Sequence, residues 1–469
     1  MTDADFVAAL AAIVGAANVL TADDAKAGYL VEPRDLYRGR ALAVVRPAST
    51  DETARVLALC DAQRRPVVPQ GGNTGLVGGQ IPDASGRAVL LSLARMNRVR
   101  EIDSASNTMI VEAGVTLAAA QQAAETIDRL FPLSLASEGS CTIGGNLSTN
   151  AGGTAVIAYG NARDLVLGLE VALADGRVLS SLGKLRKDNT GYDLKHLFMG
   201  AEGTLGVITA AVLKLFPRPR AIETAFVGLE TPAQALALLE LAQGAAGGAV
   251  TTFELLPRIG VDFVLRHTPG ARDPLADAHP WYVLLELSSG SPHGLADTMT
   301  SILENALEQG LAQDAAVAAS RAQRDAFWAL RERMSDVQRN EGGSIKHDVS
   351  VPLARVPAFL EAASAAVLRL EPQARIVAFG HVGDGNIHFN VSQPVGADKA
   401  AFLARWVEMN EVVHAIVMEM GGSISAEHGV GQLKRDLLPA AKDPVALAVM
   451  RAIKATLDPN GVLNPGKVI

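Results

Sequence analysis

The chain opens on an apolar run, residues 6–20, that carries no charge. Its Ala-rich spacing fits an amphipathic helix, and the Met-Thr-Asp-Ala-Asp before it is acidic where an export signal is basic. From Leu42 the pattern changes to short β-branched runs set between Gly and Pro, at 43–45, 65–69 and 88–93. Further strand-like runs fall at 206–215, 225–229, 251–256, 281–287, 348–352, 375–379 and 387–391, with helix-period stretches such as 50–64 and 232–243 between them. Strands alternating with helices indicate an α/β or α+β chain. The two prolines of Phe216-Pro217-Arg218-Pro219-Arg220 interrupt regular structure and mark a domain boundary. Beyond it, an antiparallel sheet covered by helices is expected, followed by a mostly helical stretch from Ala400. No repeat of solenoid or propeller period is present.

Composition narrows the function classes. A chain of 469 residues, 49% apolar and 20% charged, is long enough for two or three domains with cores of their own. With 42 Lys and Arg against 50 Asp and Glu the net charge is −8, which gives no basis for a broad phosphate-binding surface, so nucleic acid is not an expected partner. Two cysteines, Cys60 and Cys141, cannot form a disulfide framework in a chain this long, which fits a reducing compartment, and the cytoplasm is the expected location. No later stretch reaches the roughly 18 apolar residues of a membrane span.

Three glycine-rich segments carry the first chemistry. Pro69-Gln70-Gly71-Gly72-Asn73-Thr74-Gly75-Leu76-Val77-Gly78-Gly79 follows a strand-like pair, Val67-Val68. Its spacing lets backbone NH groups converge on a pyrophosphate, although a glycine-rich surface turn would read the same. No Gly-Lys-Ser/Thr follows and no Gly-x-Gly-x-x-Gly is present, so it is neither a P-loop nor a Rossmann fingerprint. The segment from Ser137 to Gly153, with Gly144-Gly145 and Gly152-Gly153 among Ser, Thr and Asn, offers hydrogen bonds without bulk, as a large planar polar cofactor requires. A third element runs through Asn189-Thr190-Gly191-Tyr192-Asp193-Leu194 to Gly200-Ala201-Glu202-Gly203-Thr204-Leu205-Gly206-Val207-Ile208.

Among nine histidines, His196, His267, His279, His293 and His414 stand alone and read as surface or packing residues. His381 and His388 do not: 379–391 reads as strand, Gly-Asp-Gly turn, strand, with His388 and Asn390 on one face and Ile387, Phe389 and Val391 in the core. His381 then approaches His388 across the turn. With Glu427, from Glu427-His428-Gly429, these residues suit a divalent metal with open positions, as in catalytic zinc sites. Two hydrogen-bonded core histidines beside an unrelated Glu-His pair fit the same spacing. Arg331 and Ser335, four apart on a helix, share a face and with Lys346 could grip one anion; as solvated surface charges they would read no differently.

The glycine segments, in this order, resemble the FAD-binding domain shared by vanillyl-alcohol oxidase and p-cresol methylhydroxylase. The second half resembles the C-terminal domain of FAD-linked D-2-hydroxyacid dehydrogenases. The resemblance implies an α+β chain: an N-terminal helical segment (1–36), a two-subdomain FAD-binding domain (37–219), a substrate-binding domain of antiparallel sheet covered by helices (220–410), and a helical C-terminal region (411–469) returning to the flavin. It assigns Gly71, Gly72, Asn73, Thr74 and Gly75 to the pyrophosphate, with Pro69, Leu76 and Gly78 as further cofactor contacts. Glu138, Gly139, Thr142, Gly144, Gly145, Asn146, Thr149, Asn150, Gly152, Gly153, Glu202, Gly203, Gly206, Ile208 and Asn464 complete the FAD site. Asn73 stands where flavinylated relatives have His, so FAD is expected to be non-covalent, with Cys141 the only nearby nucleophile.

The same resemblance makes His381, His388 and Glu427 ligands of a divalent metal, Zn2+ being expected, and His428 the base. Arg331, Ser335 and Lys346 look like the pocket for a distal carboxylate, with Ser335 where many members have Thr, and Asn390 and His428 join them as substrate contacts. The expected reaction is oxidation of D-2-hydroxyglutarate to 2-oxoglutarate, with hydride passing to flavin N5. D-lactate or D-malate oxidation is the alternative within the family, and a flavin-binding electron carrier without its own substrate the alternative outside it. No Fe–S cysteine pattern is present, so an external acceptor is expected, an electron-transfer flavoprotein or a quinone. A homodimer is allowed for.

Overall fold

A computed structural model describes all residues, 1–469, and their contacts divide the chain into two compact units. The first comprises residues 1–152, 160–218 and 427–469; the second comprises 153–159 and 219–426.

In the first unit the opening helix is Asp3–Val14, capped by the reciprocal Thr2 and Asp5 bonds, and it buries Phe6, Leu10 and Val14 at intervals of four. The apolar run of 6–20 does not stay helical. Gly15 takes φ +83° and ends the helix, after which a 3-10 turn leads into the strand Val19–Leu20. That strand edges a four-stranded sheet in the order Val19–Leu20, Ala41–Val45, Ala88–Ser92, Val67–Gln70, whose last three strands are parallel. The helix Thr50–Ala62 begins at Ser49, whose hydroxyl accepts from the Glu52 amide, and it buries Val56, Leu57 and Cys60 in the core around Phe6, Val45, Val67 and Leu91. Val462 and Leu463 from the far end of the sequence enter the same core. An antiparallel five-stranded sheet follows, ordered Val99–Asp103, Thr108–Glu112, Val207–Lys214, Val166–Ala172, Val178–Ser181.

The second unit is antiparallel throughout. One sheet runs Val250–Pro257, Trp281–Ser289, Ala221–Leu229, Asp314–Val317; the other runs Ser344–Ser350, Asn386–Ser392, Arg375–Phe379. Helices Arg258–His267 and Arg321–Val337 supply Val261, Phe263, Phe327, Leu330 and Met334 to a core shared with Phe226, Tyr282 and Phe379. The run anticipated at 348–352 forms earlier, as Ser344–Ser350, because Pro352 has no NH for a ladder whereas residues from Ser344 onward pair with Asn386–Ser392. Residues 1–36 fold into the first unit rather than standing apart, and 411–469 is divided. Its first part continues the helix Trp406–Glu419, which packs on Val356–Leu370 in the second unit, and the remainder from Glu427 belongs to the first. No helix is long and apolar enough to cross a membrane.

Candidate active site

The first unit builds a cradle from backbone. Strand Val67–Gln70 runs into a half-buried glycine loop where Asn73 takes φ +55° and its amide donates to the carbonyls of Gly28 and Val31 at 3.2 and 2.9 Å. A Cβ on Gly71 would lie 2.3 Å from Thr142 Oγ1, and one on Gly72 only 1.8 Å from the Ser140 carbonyl, so the first and second glycine segments approach as only glycine allows. Gly144, at the start of the helix Ile143–Thr149, presses on Ala113 in the same way, and that helix ends in Asn150 at φ +53°. The Asn150 carboxamide oxygen accepts from the Arg163 amide, and the Ser148 carbonyl accepts from the Glu202 amide, which ties in the third segment. Gly145, Asn146 and Thr149 lie on the same short helix, Asn146 donating to Cys141 Sγ at 3.6 Å. Glu138 accepts from Gln121 and Ser134, and Gly139 stands clear of neighbours.

Asn464 closes the cradle from the C-terminus. Its backbone NH donates to the Val67 carbonyl at 2.7 Å, and its side-chain amide donates to the carbonyls of Gly79 and Glu202 at 2.9 and 2.8 Å. Glu202 accepts from the amides of Val430 and Gly431 at 2.6 and 2.8 Å, so the third glycine segment fixes the loop that follows His428. Burial raises the Glu202 carboxyl to about 7 against the lowering effect of those two amides. Burial lowers the Lys467 ammonium to about 8. Asn73 Oδ1, Thr142 Oγ1 and Asn464 Oδ1 are buried without a hydrogen-bond partner in the chain. Three orphaned polar atoms beside glycines that leave no room for a side chain fit a large polar cofactor such as FAD.

Residues 189–193 of the third segment are solvent-exposed, with Tyr192 at 96%, and only the part from Gly200 onward belongs to the buried cradle. Gly153 falls in the second unit, whereas Gly152 stays in the first, where a Cβ on it would lie 2.8 Å from Glu427 Oε1. Ile208 is a buried strand residue, and a Cβ on Gly206 would meet Val171 and Phe198. Cys141 is 2% exposed.

In the second unit the cross-strand register does the assembling. Lys346 faces Asn390 and Asp348 faces His388, so these four share one face of the sheet, while Ile387, Phe389 and Val391 are fully buried on the other. The His381 and His388 rings meet edge-on with centroids 5.5 Å apart. Lys346 Nζ donates to the Ser335 carbonyl and hydroxyl at 3.0 and 3.1 Å, which brings the helix Arg321–Val337 onto the sheet. Asn390 is buried and donates to Gln338 at 3.2 Å. Glu427 and His428 directly follow Ala426, whose amide donates to the Asp348 carbonyl, at the point where the chain passes from the second unit to the first.

Arg331 is no surface charge. It is buried, lies 4.8 Å above the Phe379 ring, and donates from Nε to Glu254 Oε2 at 2.6 Å. The other oxygen of Glu254 lies 2.5 Å from His381 Nδ1. Burial alone would raise the Glu254 carboxyl, but His381 and Arg331 overcome it and hold the group well below the usual carboxylate range. Sequence reasoning missed Glu254, Asp348 and Gln338. The available signal for Glu254 was a single acid in the apolar run 251–256, since a charge on a buried strand requires a partner. Of the histidines read as isolated, His267 pairs with Glu341 at 2.6 Å and His414 packs edge-on against His347.

Residues 41–181 match the family described as the FAD binding domain, and residues 218–468 match the FAD linked oxidases, C-terminal domain. Full-length relatives are similar over most of their length. The mitochondrial D-2-hydroxyglutarate dehydrogenase of Rattus norvegicus is 39% identical over 433 residues, 92% of this chain and 79% of that protein. The D-2-hydroxyglutarate dehydrogenase of Xanthomonas citri pv. viticola is 37% identical over 427 residues, 91% and 89% of the two chains. Among solved structures, p-cresol methylhydroxylase with substrate bound superposes with a TM-score of 0.77 at 17% identity, covering 99% of this chain and 96% of that one. Alkyldihydroxyacetonephosphate synthase gives 0.76 at 19%, covering 98% and 86%. The glycine cradle thus has the fold of the vanillyl-alcohol oxidase and p-cresol methylhydroxylase flavoproteins, and the chain belongs to the FAD-linked oxidases as an FAD-dependent dehydrogenase of the D-2-hydroxyglutarate dehydrogenase family.

Proposed function

We propose that this protein oxidises D-2-hydroxyglutarate to 2-oxoglutarate with non-covalently bound FAD and a divalent metal, for which Zn2+ is the first choice. The observation that carries the substrate assignment is the placement of Lys346 on Ser335, on the same sheet face as His388 and Asn390. Positions two apart on a strand are separated by about 7 Å. The His388 row and the Lys346 row are therefore spaced on the scale of a five-carbon dicarboxylate. A monocarboxylate such as lactate has nothing to offer the Lys346 end.

His381, His388 and Glu427 would hold the metal, and Asn390, paired across the sheet with Lys346, contacts the substrate from the Lys346 row. Lys346, Ser335 and Arg331 bind the distal carboxylate, Lys346 through an ammonium that also donates to Ser335. When bound at these residues, the metal would supply Lewis acidity toward the substrate hydroxyl and the flavin would supply a hydride acceptor for C2. His428 takes the hydroxyl proton on an imidazole nitrogen as C2 becomes a carbonyl, and Glu202 keeps the loop beyond His428 in place through the amides of Val430 and Gly431.

An anaerobic flavin-bleaching panel over D- and L-2-hydroxy acids tests the reading. D-2-hydroxyglutarate should bleach fastest, D-malate next, and the L-acids not at all. Faster bleaching by D-lactate would replace this substrate assignment, and no bleaching by any hydroxy acid would leave a flavin carrier.

A further inference from the structure

Glu254 is the one acid on a strand buried along its whole length, Val250–Pro257, and its side chain is fully enclosed. A carboxylate in that position costs several kcal/mol unless both oxygens are engaged, and a well-packed apolar residue of similar volume would serve stability as well or better. Stability therefore does not account for a charge at this position. The backbone around it is arranged to aim it: Leu255 and Gly380 exchange both hydrogen bonds, at 2.9 and 3.0 Å, which sets Glu254 beside His381. Gly380 permits this crossing, since it sits at φ +147° and a Cβ there would meet the Asn386 carbonyl at 2.8 Å.

We infer that Glu254 is a positioning residue that orients a metal ligand and a substrate-binding arginine through one carboxylate. Through Oε1 it accepts a hydrogen bond from His381 Nδ1–H, which fixes the tautomer whose Nε2 carries the lone pair for a metal. Through Oε2 it accepts a hydrogen bond from Arg331 Nε–H, so the guanidinium is fixed over Phe379 by a bond that does not use its terminal amino groups. The two ends of the hydroxy acid are thereby referred to a single rigid group in the sheet. This rests on the functional reading above and adds to it a group that touches neither substrate nor flavin.

The test uses FAD-loaded full-length protein and Zn2+ alone as the probe, titrated against a competing chelator. Glu254→Gln should weaken Zn2+ binding by about 10- to 100-fold, the usual effect of losing such a partner, with flavin content unchanged. Glu254→Asp, which keeps the charge, should recover part of that loss. If Glu254→Gln fails to fold because Arg331 is left buried without its counter-charge, the double variant Glu254→Gln with Arg331→Met removes both charges, and the same weakening is expected of it. Zn2+ affinity within twofold of wild type in either folded, flavin-loaded variant overturns the inference and leaves the functional reading intact. Wild-type protein that takes up no Zn2+ in the same titration overturns the metal site in that reading, and this inference with it.

Discussion

Replacing Lys346 by Met removes one charge while keeping most of the side-chain length, so it avoids a large cavity in a half-buried position. In the substrate-free protein the change loses two hydrogen bonds, to the Ser335 carbonyl at 3.0 Å and its hydroxyl at 3.1 Å. Each is worth about 0.5 to 1.5 kcal/mol, so folding stability falls by about 1 to 3 kcal/mol, whichever acid is then assayed. The substrate-specific effect is separate. A charge-assisted hydrogen bond from the ammonium to the distal carboxylate is worth about 1.5 to 3 kcal/mol, which converts to a loss of about 10- to 150-fold in kcat/KM. That loss should appear for D-2-hydroxyglutarate and D-malate and be slight for D-lactate, so the measured quantity is the ratio of kcat/KM values between acids rather than either alone. His428→Asn, by contrast, should slow every substrate, because the hydroxyl proton must leave whatever the tail. Equal losses for lactate and hydroxyglutarate in Lys346→Met would place Lys346 at the shared C1 end or in folding, and the dicarboxylate assignment would fail.

Acid precipitation should release FAD into the supernatant, because Asn73 donates its amide to backbone carbonyls and offers no attachment atom; flavin retained in the pellet would point to Cys141. Prolonged chelation should abolish turnover while the flavin spectrum stays unchanged, Zn2+ should restore it, and His388→Ala should mimic chelation; activity that survives complete metal removal would reduce the histidines to a hydrogen-bonded pair. Glu202 gives a pH test of stability. Its carboxyl lies near 7 in the folded chain against 4.5 for an ordinary glutamate, so between those values the folded state holds a proton that the unfolded state releases, and stability declines as pH rises through that window. The interval is worth about 3 kcal/mol at most. Thermal melts of Glu202→Gln, which has no such proton, should improve relative to wild type from pH 5 to pH 8; parallel curves would refute the assignment.

Much of this was legible from local pattern. Period two placed His388 and Asn390 on one face of a strand, and the ladder with Ser344–Ser350 bears that placement out. Glycine spacing located the cradle, because a ligand-binding loop needs close backbone approach and few other residues permit it. The apolar run at 6–20 misled because hydrophobicity does not register a single glycine at φ +83°. The exposed stretch 189–193 is ambiguous from pattern alone, because its Asn, Thr and Gly serve a solvent loop as readily as a cofactor loop.

What the sequence could not display is which charges answer one another across long separations. Arg331 and Glu254 are 77 positions apart, and Glu254 and His381 127 apart. Read alone, Arg331 is a helix-surface cation; paired, it is largely neutralised before any ligand arrives. The consequence bears on specificity. A distal carboxylate approaching this pocket meets an arginine whose charge is already answered by Glu254, beside a lysine that donates to the Ser335 carbonyl and hydroxyl. Arg331 then contributes chiefly direction, through a planar group whose orientation Glu254 and Phe379 fix. For this reason the charge-removing test belongs at Lys346, and the geometric one at Glu254.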